Sequence, residues 1–384
     1  MLLIKNGKIF TMEGINYEKG DILVDKGKIV KISKNINISS KISIIDAKGA
    51  WVMPGIIDAH CHIGLLEQGV GVEGNDINES TNPITPQLRA IDGINPLDDA
   101  FKDAIKAGIT SVMTGPGSAN VMGGQFVAIK TSGICVDEMV IKEPAAIKVA
   151  FGENPKRVYN SKGKMPTTRM ATAALLRQTL TDSKNYKRRK DTAYLKGENF
   201  DINLKMESLI PVLERKIPLK AHVHRADDIF TAIRLAKEFN ILITLDHCTE
   251  GDIIAKYIKN ADVPAILGPG LTSKGKVETK GKSFITPYIL NKEGIKFAIT
   301  TDHPVVPIEY LPLCAALAVK EGLALEEALK AITINAAEIM GIDNRVGSLK
   351  EGKDADMAIF NGNPLENFTS LIYTIIDGNI VYSR

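Results

Sequence analysis

Ile56-Ile57-Asp58-Ala59-His60-Cys61-His62 decides how this chain is read. Pro54-Gly55 leads into it and Gly64 follows. The apolar start reads as a strand. Side chains alternate along a strand, so His60 and His62 point to the same face. Neutral imidazole is the commonest metal ligand among side chains.

The other histidines give the pair its meaning. The chain has 6 histidines among 384 residues. His222 and His224 form a second His-x-His after Ile217-Pro218-Leu219-Lys220-Ala221. His247 closes Ile241-Leu242-Ile243-Thr244-Leu245-Asp246, and His303 follows Asp302 after Phe297-Ala298-Ile299-Thr300-Thr301. Each histidine thus ends a short run rich in apolar or β-branched residues. Random placement of so scarce a residue does not produce that pattern.

Between residues 55 and 345 strand and helix patterns alternate, as in a parallel sheet with helical crossovers. Eight strands are expected, at 56–60, 110–114, 126–131, 146–151, 219–223, 242–246, 265–267 and 297–301. Helical patterns occupy 97–107, stopped by Gly108, then 228–239 and 325–340. Eight strands with helices between them predict a (β/α)8 TIM barrel of the α/β class, with a doubly wound open sheet as the alternative. In a TIM barrel the active site lies at the carboxyl ends of the strands. His60, His62, His222, His247 and Asp302 then converge at the barrel mouth.

Residues 1–54 and 346–384 share a different texture, short strands with tight turns. Asn6-Gly7 and Asp25-Lys26-Gly27-Lys28 sit between apolar runs as hairpin signals. Neither end alone is large enough to bury a good core. The two ends are therefore expected to combine in one small β-sandwich, with the barrel inserted between them.

Four histidines and a carboxylate suit a borderline divalent ion such as zinc, iron, manganese or nickel. Zinc lowers the pKa of bound water to about 7. Asp302 has two oxygens, which suits it both to ligation and to proton transfer.

These residues resemble the amidohydrolase superfamily of metal-dependent hydrolases, in its imidazolonepropionase and prolidase-like branch. The resemblance rests on 54–62, His222, Asp246-His247, Thr301-Asp302-His303 and the Gly347-Ser348-Leu349-Lys350-Glu351-Gly352-Lys353-Asp354-Ala355-Asp356 stretch. It covers nearly the whole chain and implies a distorted barrel beside a terminal β-sandwich. It implies His60 and His62 on one metal ion, His222 and His247 on a second, and Asp302 on the first as general acid and base. Relatives with two ions carry a bridging group on the fourth strand, a carboxylated lysine or a glutamate. Lys148 and Glu153 both offer themselves. If neither ligates, one ion is expected per chain instead of two.

The reaction expected is hydrolysis of a C–N bond in a small amide, cyclic amide or dipeptide through metal-activated hydroxide. A deaminase of a small heterocyclic amine is the alternative. Deaminases of the superfamily carry His-x-x-Glu after the fifth strand, and here those positions hold Arg225 and Asp227. A non-catalytic scaffold is the third reading, opposed by the full set of ligands. His224, Arg225, Gln125 and His303 are the expected substrate-side residues. His224 is either a neighbour of the ligands or a substrate contact, and His303 either orients Asp302 or faces away. Arg157 and Arg169 are further candidates to clamp an anion. The long loop 63–96 and the Gly-rich loop 115–125 frame the mouth, and 166–196 is expected as a helical lid or an oligomer contact.

Composition narrows the partners. A net charge of +3 is small for this length, so nucleic acid and membrane surfaces have no electrostatic support. Four scattered cysteines fit a reduced cytoplasmic setting and not a disulfide framework. No basic, apolar and small-residue succession marks a signal peptide, and no run of 18 apolar residues spans a membrane. An even-numbered homo-oligomer is expected from base rate alone.

Overall fold

The computed structural model describes residues 1–38 and 42–384. Its strands form two sheets. The first is the barrel sheet. Its strands are β1 (Ile56–Cys61), β2 (Ile109–Thr114), β3 (Met122–Lys130), β4 (Val140–Ala150), β5 (Leu219–Val223), β6 (Ile243–His247), β7 (Ala265–Leu267) and β8 (Phe297–Ile299), paired in that order. All eight overlap the expected runs.

One strand corrects the (β/α)8 expectation. β3 runs antiparallel to both β2 and β4. No barrel helix crosses between these three strands. Residues 115–121 join β2 to β3, and only the four-residue helix Val136–Met139 precedes β4. The remaining pairs are parallel. Helices Asp99–Lys106 and Ala226–Phe239 lie near their expected places. The expected 325–340 helix is two, Leu325–Ala331 and Ile334–Met340. The break at Ile332 has a purpose, since its carbonyl accepts the Ile57 N–H at 2.8 Å.

β1 and β8 close the barrel largely through side chains. Asp58, fully buried in β1, accepts the Thr301 N–H at 3.1 Å and the hydroxyls of Thr300 and Thr301. The His62 N–H reaches the His303 carbonyl at 2.8 Å. Asp58 thus ties the strand bearing His60 and His62 to the segment bearing Asp302.

The second sheet takes strands from both ends of the chain. Its order is Asn379–Ser383, Leu371–Ile376, Met357–Phe360, Trp51–Pro54, Leu2–Phe10, Asn16–Asp25 and Lys28–Ser33, with Ser43–Asp46 also on Leu2–Phe10. Hydrogen bonding joins all eight in one sheet where a sandwich was expected. Asn6-Gly7 is not a hairpin turn. Asn6 has φ 57° and sits at a register shift inside the single strand Leu2–Phe10. Lys26 and Gly27 do turn a two-residue hairpin, both with positive φ.

Period-two alternation lets this sheet serve two cores. Val52, Met357 and Ile359 join an apolar cluster of the sheet itself. Met53, Ala358 and Phe360 pack into the barrel's cluster. Buried charges reinforce the junction. Lys130, at the end of β3, meets Asp354 at 3.0 Å, Asp356, and Asp377 at 3.3 Å. Arg345 and Lys28 also hold Asp354. The four cysteines are free, and no helix among the described residues is long and apolar enough to cross a membrane.

Removing one partner from such a cluster leaves uncompensated buried charge. Lys130→Met is expected to destabilise the protein by about 3–5 kcal/mol in denaturant unfolding. A variant as stable as the parent would mean that the cluster does not hold the sheet to the barrel.

Candidate metal centre

The site is built from strand ends. Alternation along β1 turns Asp58 and His60 inward, and His62 follows at the strand's end. Along β4 and β5 it aligns Lys148 with Lys220, and Ala150 with His222. On β6 it aligns Asp246 with His222. His247 and Asp302 have φ of 70° and 54°. Non-glycine residues adopt such left-handed backbone at a cost that function often explains.

Two triads result. His60, His62 and Asp302 form one, and His222, His224 and His247 form the other. The His60 and His247 rings lie 5.2 Å apart, so the triads are neighbours. Asp302 Oδ1 sits 3.3 Å from His60 Nε2 and 3.2 Å from His62 Nε2. It is buried without a hydrogen-bond partner. The edge of a tetrahedron with zinc-type bonds is about 3.3 Å. These three donors therefore fit a divalent ion, and the orphaned oxygen points where one would sit.

Burial holds His60, His222 and His247 below the usual imidazole range and brings His224 down to about 3. Neutral imidazole is the ligand form. Partners on Nδ1 fix the rings. His60 Nδ1 faces Asp246 Oδ2 at 2.8 Å, His62 Nδ1 donates to the Gly115 carbonyl at 2.6 Å, and His247 Nδ1 to the Gly268 carbonyl at 2.7 Å. Each leaves Nε2 as the nitrogen that could ligate an ion. His224 Nδ1 meets the Thr249 hydroxyl at 2.7 Å.

Lys148 is fully buried, and its Nζ lies 3.3 Å from His60 Nε2. Burial pulls its amine down to about 8, against the attraction of Asp246 and Asp302. Lys220 beneath it reaches the Ala59 carbonyl at 2.9 Å and Asp246 at 3.4 Å. Both ammonium groups lie over the Phe126 ring at 5.5 Å.

A cleft of about 370 Å³ opens above the triads. It is lined by His62, Lys148, His222, His224, His247 and Asp302, with Asn154, Lys276 and Lys282 on its wall. The space suits a small molecule.

Five expected contributors lie elsewhere. Gln125 is pinned under the 63–96 loop, its side chain on the Pro86 carbonyl and its N–H on Leu88. Arg225 pairs with its neighbour Asp227 at 3.0 Å on an exposed surface. Glu153 is turned aside, accepting the Glu278 N–H at 3.2 Å. His303 faces away from the cleft, its Nδ1 accepting the Ile308 N–H at 3.1 Å. Arg169 is bound to Asp228 at 3.0 Å, at the start of the long helix Arg169–Lys196.

Other residues enter that the sequence reading gave no role. Asp246 had a signal, an acid alternating inward with Thr244 in a strand. Lys276, Glu278 and Lys282 had none, since they lie in an irregular segment between β7 and β8. Glu278 is 1% exposed and faces His222 at 3.8 Å.

Comparison with known proteins agrees with this architecture. The chain is 27% identical over 389 residues to Amidohydrolase tasK of Hapsidospora irregularis, covering 94% of this chain. It spans only 39% of that relative's length. It is 24% identical over 430 residues to 5-methylthioadenosine/S-adenosylhomocysteine deaminase of Caldicellulosiruptor saccharolyticus, covering 99% of this chain and 93% of the relative. The crystal structure of an amidohydrolase from Thermotoga maritima superposes with a TM-score of 0.97 at 43% identity, with 100% of both chains covered. A sequence model of the amidohydrolase family matches residues 51–381, a span that takes in all six histidines and Asp302, and the chain belongs to that family.

Proposed function

We propose that the protein is a metal-dependent hydrolase of C–N bonds in a small amide, cyclic amide or dipeptide. The observation that carries this reading is the orphaned Asp302 Oδ1 between two imidazoles, beside a second histidine triad and under an open cleft. His60, His62 and Asp302 hold one divalent ion, zinc by donor type, and His222 and His247 hold a second. What such an ion supplies when bound is Lewis acidity and a water acidic enough to ionise near pH 7.

The chain's own residues supply the rest. Asp246 keeps the His60 proton on Nδ1, so Nε2 stays a donor. Asp302 takes a proton from the attacking water and returns it to the leaving nitrogen. Lys148 is favoured over Glu153 as the bridging group, because its amine lines the cleft while the Glu153 carboxylate faces the Glu278 N–H. An amine lowered to about 8 has an appreciable neutral fraction, the form that adds carbon dioxide.

Two lysines on the wall suit a substrate with an anionic group. Lys276 donates to Asn154 at 2.7 Å and Lys282 to Thr272. These are polar, breakable contacts, and they replace the arginines first expected as clamps.

Deamination is the second reading, prompted by the deaminase among the relatives. Ring protonation in that reaction needs a carboxyl group besides the metal-binding aspartate. Among the described residues, Asp302 is the only acidic side chain lining the cleft. This favours hydrolysis of an amide.

Three outcomes are expected. Zinc-loaded protein hydrolyses one or more of a panel of N-acyl amino acids, cyclic amides and dipeptides. Chelation abolishes the rate, and Asp302→Asn lowers it at least about 100-fold. Full turnover by chelator-treated protein or by Asp302→Asn would end the reading. Elemental analysis should find fewer zinc ions in Lys148→Ala than in Glu153→Ala. The reverse order would move the bridge to Glu153. Lys282→Met should raise KM for an anionic substrate by about 10-fold or more, the loss of one charged hydrogen bond. An unchanged KM would remove Lys282 from substrate binding.

A further inference from the structure

Glu278 is a buried carboxylate that the proposed chemistry does not use. It sits in the single 3-10 turn Val277–Thr279, between β7 and β8. Its position is tightly specified. Oε2 accepts the Glu153 N–H at 2.8 Å, and the Glu153 carboxylate accepts the Glu278 N–H in return. Gly152 makes room for it. That glycine has φ +76°, and a Cβ there would come within 2.4 Å of Glu278 Oε2. A side chain seated this carefully leaves its other oxygen, Oε1, buried and without a hydrogen-bond partner.

That oxygen faces three groups. His222 Nε2 is 3.8 Å away, His224 Nε2 is 4.0 Å and Lys276 Nζ is 3.9 Å. Lys276 already donates to Asn154. An orphaned buried acceptor costs free energy unless a donor meets it. The two imidazoles and the Lys276 ammonium are the donors nearest to it, His222 nearest of all, and Glu278 is outside the set of residues that line the cleft.

We propose that Glu278 is a positioning residue for the second metal site, acting through His222. Metal-binding histidines usually give their other ring N–H to a carboxylate or carbonyl. His60, His62 and His247 each have Nδ1 held and present Nε2. His222 is reversed. Its Nε2 faces Glu278, so the Nε2–H is held there and Nδ1 is presented to the ion. The second N–H of the Asn154 amide, whose first goes to Ser118 at 2.8 Å, also approaches this nitrogen at 3.5 Å, a long neutral contact that the buried charge of Glu278 outweighs. Glu278 Oε1 has no hydrogen-bond partner of its own, and so it sets the tautomer. His224, with Thr249 on one nitrogen and Glu278 beyond the other, braces His222 and is not a ligand.

The proposal rests on the reading of a metal-dependent hydrolase, and its test separates the two. Zinc affinity would be measured by chelator competition on the full-length protein, Glu278→Gln and Glu278→Ala. Histidine tautomers would be read by nitrogen NMR on the zinc-loaded parent, with His222→Asn to assign the signal. One bound ion is expected to weaken by about 10–100-fold in Glu278→Ala, and less in Glu278→Gln, which keeps an acceptor oxygen. The His222 signal is expected to report Nε2–H, against Nδ1–H for His60, His62 and His247. Unchanged zinc affinity in Glu278→Ala, or a His222 proton on Nδ1, would overturn the proposal alone. Should Glu278→Ala fail to fold, Glu278→Gln and the tautomer of the parent still decide. A parent chain that takes up no zinc would overturn the metal reading and this proposal together.

Discussion

Asp246 holds the centre of the barrel together. It is fully buried, and its two oxygens serve different masters. Oδ2 meets His60 Nδ1, while Oδ1 takes Thr244 at 3.0 Å and Lys220 at 3.4 Å. Buried charge is tolerated only when paired and hydrogen-bonded. Here the carboxylate is compensated from below by Lys220 and spends its other lone pairs on the His60 ring. The stability of the barrel interior and the orientation of His60 are therefore one problem with one solution. Asp58 does the same at the seam, where closure of the sheet and the placement of Asp302 depend on the same hydrogen bonds.

Much of this was legible because scarce residues were placed at informative positions. His60, His62, His222 and His247 close apolar runs, and strand periodicity alone predicts which way they point. Asp302 is found the same way. The direction of β3 was not legible. Alternation reads identically in both directions along a strand, and the turn that reverses this one, residues 115–121, is Gly-rich like any other loop. The break at Ile332 was hidden for a related reason. Helical periodicity continues through it, and what stops the helix is a distant N–H, that of Ile57.

Glu278 shows the same limit in its sharpest form. It lies between two lysines' worth of polar loop, at Lys276 and Lys280, where a glutamate ordinarily means a solvated surface. Nothing local marks it as 1% exposed. Only the folded chain brings Gly152 beneath it and the imidazoles in front of it. Gln125 and Arg225 failed in the opposite way. Each is adjacent to the right feature in sequence, yet each is claimed by a nearer partner, Pro86 in one case and Asp227 in the other.

The shared terminal sheet has a bearing on how the chain is made. Trp51–Pro54 pairs with Met357–Phe360, so an early strand must wait for one of the last. Until then Trp51–Pro54 has apolar side chains and an unfilled hydrogen-bonding edge during synthesis. Open edges of that kind recruit other chains. Pairings between distant segments also form slowly, because a long loop must close first. The barrel, which lies wholly between the two halves, is in a position to fold before them and to offer Met53 a surface to rest on. On this view the inserted domain acts as a template for the ends of its own chain, and crowded translation is the condition under which that order matters most.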